Sequence, residues 1–176
     1  GTATTSLDDI AGALYLDAGA NELLPTNSGS LTANGQEVTA TLPTGDRVIF
    51  DDTFDVSPNN YQFTVTQLVR LGSPTIDLLG LETVELNAGS GPNTIEIDTT
   101  GAATTTTVRG NIGVDLVTLL NTGDGSITIV ETGGGADNVA VTTTGIGSVT
   151  ALDTGTEVDT VTVSGTGQGS GLSVAL

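Results

Sequence analysis

From Leu86 to Val174 every eleventh residue is aliphatic: Leu86, Ile97, Val108, Leu119, Val130, Val141, Leu152, Val163 and Val174. Two residues before each stands a second position, filled in turn by Val84, Ile95, Thr106, Val117, Thr128, Val139, Thr150, Val161 and Leu172. Sites two apart lie on the same face of a strand. Each eleven-residue unit therefore predicts a short strand with one buried face, followed by a Gly-rich corner. The second position alternates aliphatic with mostly Thr, so the full repeat is 22 residues and two strands, one wall greasier than the other. Polar and small residues keep the same beat: Asn93, Asp115, Asp137 and Asp159 lie 22 apart, as do Gly101, Gly123, Gly145 and Gly167.

Equal spacing alone also suits an antiparallel meander. In a meander, however, equivalent residues of successive strands do not stack in register. One residue type at one phase marks coils in which like sits on like. The predicted fold is thus all-β: a parallel β-solenoid with 22-residue coils over 81–176, right-handed by the crossover rule. Each coil rises about 4.8 Å and touches only its neighbours.

Residues 13–80 predict a less regular β region, a cap or early coils. Strands are expected at Ala13–Asp17, Ser30–Ala33, Glu37–Leu42, Asp46–Asp51, Tyr61–Val69 and Pro74–Leu79, with turn signals such as Pro43-Thr44-Gly45 between them. Tyr61–Val69 reads as a single alternating strand. Residues 1–12 predict a polar tail with a helical turn at Ser6–Ile10.

Composition narrows the function classes. The formal net charge is −18, with three cations, Arg47, Arg70 and Arg109, and no Lys. Phosphate neutralisation needs clustered Lys and Arg, so a nucleic-acid partner is not expected. No stretch is long and apolar enough to insert in a bilayer. Cys and His are both missing. The absent Cys exclude a disulfide framework, and with them go the usual nucleophile–base pairs, so no enzyme is expected. The adjacent acids Asp51/Asp52 and Asp8/Asp9 read as solvated turn residues. The Thr-rich tracts Thr104–Thr107 and Thr142–Thr144 read as solvated strand formers.

The corners carry a resemblance. Thr132–Ala140, with Gly133, Gly135, Asp137 and Val139, resembles a degenerate copy of the calcium-binding nonapeptide of secreted RTX proteins. So does Gly110–Thr118, with Gly110, Gly113, Asp115 and Val117, although Asn111 replaces a Gly. Phe63-Thr64-Val65-Thr66, Gly80–Asn87 and Thr104–Val108 are similar to repeats in giant secreted bacterial surface proteins. The resemblance implies an extracellular or cell-surface location, and calcium as a cofactor held by Asp115, Asp137, Asp159 and Asn93. Two features depart from it. The coil is longer than the family's, and the opposite corner has Thr104, Ser126, Ser148 and Ser170 where acids would be needed. The same Asp residues also suit capping of turns through backbone N–H groups.

The repeat reaches Leu172–Leu176 in mid-phase with no polar cap. An open strand edge invites pairing, and a head-to-tail contact that does not close makes a filament. The expected function is a non-enzymatic structural subunit of an extracellular filament, sheath or surface layer, self-associating end to end. The alternative is a calcium-dependent adhesin segment.

Overall fold

The computed structural model describes residues 46–176 in full and, before them, the strands β1 (Leu14–Asp17), β2 (Asn27–Ala33) and β3 (Gln36–Leu42). The polar tail, with the turn expected at Ser6–Ile10, lies outside the described residues. The further strands are β4 (Arg47–Asp51), β5 (Asn59–Phe63), β6 (Gln67–Arg70), β7 (Ile76–Leu79), β8 (Thr83–Asn87) and β9 (Asn93–Ile97). They are followed by β10 (Thr105–Arg109), β11 (Leu116–Leu119), β12 (Ile127–Glu131), β13 (Asn138–Val141), β14 (Val149–Asp153), β15 (Thr160–Val163) and β16 (Gly171–Ala175). No helix occurs among the described residues.

The chain is a parallel β-solenoid. One sheet runs β4-β8-β10-β12-β14-β16 and the facing sheet β5-β9-β11-β13-β15, all in parallel. Val108 pairs with Val130, and Val117 with Val139, each 22 residues on. The two aliphatic series thus become vertical ladders. Leu86, Val108, Val130 and Leu152 line one wall, and Ile97, Leu119 and Val141 the other, all essentially solvent-free. Removing such a side chain from water contributes about 1.5–3 kcal/mol. The Thr sites of the second series, Thr106, Thr128 and Thr150, also point inward and are buried. That makes the β10–β12–β14 wall the more polar one.

The stack begins one coil before the regular repeat. β4 pairs with β8, and β5 with β9, but at offsets of 36 (83 − 47) and 34 (93 − 59) residues. The surplus over 22 is the β6–β7 insertion. β6 pairs antiparallel with β5, β7 antiparallel with β6, and β1 parallel with β7. The single strand expected over Tyr61–Val69 is accordingly two. The chain turns at 64–66, so that Leu68 pairs with Phe63 and both are buried, while Val65 is exposed. Strict alternation cannot reveal a reversal when the residues beyond the turn resume the same pattern.

The β2–β3 hairpin belongs to neither sheet; β2 lies against β14 and β16. On the other side of β14, Leu152 enters the core, while outward-facing Ala151 is buried as well.

Corners repeat as faithfully as strands. At one corner a left-handed residue recurs from coil to coil: Ala103 (φ 55), Gly125 (φ 64), Gly147 (φ 65) and Gly169 (φ 70). Ala103 is the one member of this column with a Cβ, and an L-residue pays for that conformation. Ala103→Gly should stabilise the rod by about 0.5–1 kcal/mol, measured as a higher urea midpoint with an unchanged slope.

Candidate functional site

The register of β9, β11, β13 and β15 places Asn93, Asp115, Asp137 and Asp159 in one column at a corner of the coil, as the sequence suggests. Asn59 heads the same column, because β5 pairs it with Asn93. The Asp side chains do not cap their own turns. Asp115 Oδ1 accepts the backbone N–H of Asn93 at 2.7 Å, Asp137 Oδ1 that of Asp115 at 2.8 Å, and Asp159 Oδ1 that of Asp137 at 2.9 Å. Each carboxyl therefore bonds the coil before it. Meanwhile the Asp115 and Asp137 carbonyls accept the N–H groups of Asn138 and Thr160 in the coil after, both at 2.9 Å.

The second oxygens are unsatisfied. Asp115 Oδ2, Asp137 Oδ2 and Asp159 Oδ2 have no hydrogen-bond partner, and Asp115 and Asp137 are only 1% and 2% exposed. Asn93 shows what this position accommodates. Its Nδ2 donates to the Gly89 carbonyl at 2.9 Å and to the Gly110 carbonyl at 3.3 Å. Twenty-two residues beyond Gly110 is Thr132, and Asp115 Oδ2 and the Thr132 carbonyl both crowd the space beside Gly110. Where Asn93 offers a donor to carbonyl oxygens, Asp115 offers a lone pair. Burial pushes the Asp115 carboxyl up to about 6; the Asp137 charge adds to this, and the bonds from Asn93 oppose it.

Calcium wants six to eight oxygens with several carboxylates among them. The ladder supplies one carboxyl per coil, and no group of three or more His, Cys, Asp or Glu able to hold a metal occurs among the described residues.

The head of the ladder is closed by a buried cation. Arg70 on β6, 6% exposed, sets Nε 2.9 Å from Asp52 Oδ2, donates to Asn59 Oδ1 at 2.8 Å, and pairs with Asp55. Tyr61 donates its hydroxyl to the same Asp52 oxygen at 2.6 Å. Burial and that carboxylate push the Tyr61 hydroxyl far above its usual range. The N–H of Ser57, with Asn59 and Arg70 assisting against burial, holds the Asp55 carboxyl below its ordinary value. Asp52 is thus not the solvated turn acid expected from the Asp51/Asp52 pair. Asp51 is exposed, while Asp52 turns inward to Arg70.

The opposite corner carries a ladder of hydroxyls. Thr100, Thr122 and Thr144 donate to Ser126, Ser148 and Ser170 at 3.2, 3.0 and 2.9 Å. The same Thr oxygens accept the N–H groups of Gly123, Gly145 and Gly167, and each Ser donates to the carbonyl of the Gly in its own coil. Every hydroxyl both gives and receives, as a buried polar network requires. The ladder stops at Thr100 and Thr104, because the preceding coil carries Glu82 in register with Thr104. A cavity of about 310 Å³ opens there, lined by Phe63, Leu78, Glu82, Thr100 and Thr104 among others.

Both remaining cations lie on the outer face of the β4–β16 sheet. Arg47 pairs with Glu85 at 2.6 Å, and Arg109 bridges Glu85 and Glu131, the latter at 2.6 Å. Outward-facing Thr105 and Thr107 are buried rather than solvated.

The four candidate calcium ligands are therefore brought together. Asn59, Arg70 and the Thr–Ser ladder were missed. The Thr column was visible at its 22-residue spacing; Asn59 was hidden by the insertion, which breaks the beat. No protein-family model, curated protein or solved structure matches this chain.

Proposed function

We propose that the chain is a non-enzymatic rod unit of an extracellular filament, sheath or surface layer, extended end to end by continuing the coil stack. One observation carries this reading. Among the described residues, successive coils from β8/β9 to β14/β15 pair at one constant 22-residue register, so each presents to the next the same row of N–H and C=O groups. The core ladders depend on that contact: Val141, covered on both sides, is 1% exposed, whereas Val163 is 40% exposed. A further coil stacked at the same register would bury the ladder and pair both strands, whichever chain supplied it.

Like charges oppose the contact, since each copy carries −18, and salt screens such repulsion. Assembly should therefore grow with NaCl, seen by light scattering and negative-stain imaging. Val174→Lys should stop it while the far-UV spectrum stays that of the parent. Monomers at every salt concentration would overturn the reading.

The adhesin alternative has one observation in its favour, the unpartnered Oδ2 column. Calcium bound there would make the melting temperature fall in EDTA.

A further inference from the structure

At the Thr–Ser corner each coil receives a hydroxyl from the coil before it. In the complete copies that hydroxyl, of Thr100, Thr122 or Thr144, does two things at once. It donates to a Ser of the next coil and accepts the N–H of the Gly three residues before that Ser. The corner between β9 and β10 has the receiving pair, Gly101 and Thr104, without the hydroxyl. Among the described residues nothing accepts the Gly101 N–H. Thr104 Oγ1 donates to the Gly101 carbonyl at 2.8 Å but receives no hydrogen bond itself.

The place is open as well as unbonded. A Cβ on Gly123, Gly145 or Gly167 would run into backbone of the preceding coil, whereas on Gly101 its nearest neighbours would be atoms of Thr104 in the same corner. The cause lies in the β6–β7 insertion. Phe63 is in register with Ile97, but after Phe63 the chain turns back into β6 instead of running on to a corner. The cavity of about 310 Å³ occupies the space so left, and both Gly101 and Thr104 line it. Its apolar wall is formed by Phe63, Leu78, Leu81 and Val84.

We infer that this cavity is a binding site for a compact neutral alcohol. The ligand hydroxyl takes the place that a Thr side chain holds at the later corners: it accepts the Gly101 N–H and donates to Thr104 Oγ1. The hydrocarbon body lies against Phe63, Leu78, Leu81 and Val84, where its burial supplies the affinity. Other head groups match less well. A ketone accepts from Gly101 but has nothing to donate to Thr104, and an ammonium donates but cannot accept. A carboxylate cannot donate either, and it would meet Glu82 at the cavity lining in a chain of net charge −18. One water satisfies both partners but fills only a small part of about 310 Å³. The cavity lies within one chain, so binding occurs whether or not the rods stack.

Cyclohexanol and cyclohexanone are close in size and shape and differ in the one donor. Each is titrated at low salt into isotope-labelled protein, and the amide resonances are followed. Both should shift the Gly101 amide saturably, with the alcohol bound about three to ten times more tightly, the worth of one hydrogen bond. Thr104→Val keeps the shape and removes the acceptor, so that preference should vanish while the affinity for the ketone stays that of the parent. Leu81→Trp should fill the cavity and abolish the response to both probes. An unshifted Gly101 amide in the parent, or equal affinities for the two probes there, would overturn the site. A preference that survives in Thr104→Val would do the same. The comparison in the unsubstituted chain needs no variant, so it decides even where Thr104→Val does not fold.

Discussion

Gly135→Ala is expected to destabilise the rod by about 4 kcal/mol or more, while Gly134→Ala, one residue earlier, is nearly neutral. Gly135 has φ 133 and sits against the neighbouring coil; a Cβ there would run into the backbone carbonyl of Gly113. That oxygen belongs to a coil held by its own strand ladder, so it cannot yield without parting two coils. A Cβ on Gly134 would meet nothing nearer than the Thr156 hydroxyl at 3.6 Å. The two variants share composition and helix or strand propensity changes, and differ only in what the new methyl meets. Thermal unfolding followed by circular dichroism measures both. Equal melting temperatures would show that the coils are spaced more loosely than the register requires. Because each coil contacts only its neighbours, hydrogen exchange in the Gly135→Ala chain should rise first in β11 and β13.

The repeat made this much of the architecture readable before any coordinates. Residues at one phase of a 22-residue period must stack, and the parallel pairing of Val117 with Val139 is that statement in three dimensions. What the period could not reveal was where it was interrupted. The coil containing β4 and β5 obeys the same packing, with Phe50 joining Leu86 and Tyr61 joining Ile95. Yet the β6–β7 insertion shifts its phase, so a periodic reading starts one coil late. The site was legible to the same degree. Asp115, Asp137 and Asp159 could be placed in a column, but not their sense of bonding, which depends on which way a carboxyl leans along the axis. Arg70 escaped notice because nothing local marks it: its partners Asp52, Asp55 and Asn59 meet it only when β6 folds back on β5.

Asp115→Asn should raise stability at pH 8 by roughly 2–3 kcal/mol and leave it unchanged near pH 4. The sign follows from the raised value. In the folded chain the carboxyl sits near 6 against an ordinary 3.8, so the fold binds this proton more tightly than the unfolded chain does. That contribution is fully present below the unfolded value and is lost as pH climbs through about 6. An amide needs no proton, and its Nδ2 can donate to the Thr132 carbonyl, as Asn93 Nδ2 already donates to the Gly110 carbonyl one coil earlier. The acid side has the opposite sign. Asp55 is lowered by the Ser57 N–H, and Glu85, though burial works against it, by Arg47 and Arg109. Their stabilisation is lost as pH falls through those depressed values. Stability should thus peak on the mildly acidic side, between the two transitions. Urea unfolding of both chains at pH 4, 6 and 8 checks this. A less stable Asp115→Asn chain at pH 8, together with an EDTA-sensitive parent, would assign the column to calcium instead.

The stacking of short coils also determines how the molecule meets tension. A pull along the rod axis loads the hydrogen bonds that join one coil to the next, since these run nearly parallel to the force. When a coil peels away, a rise of about 4.8 Å is exchanged for 22 residues of chain, which straighten to roughly 75 Å. Every coil is thus a folded length reserve some fifteen times its own height, released one at a time. The Asp and Thr–Ser columns act as stitches at opposite corners that must both tear before the next length pays out.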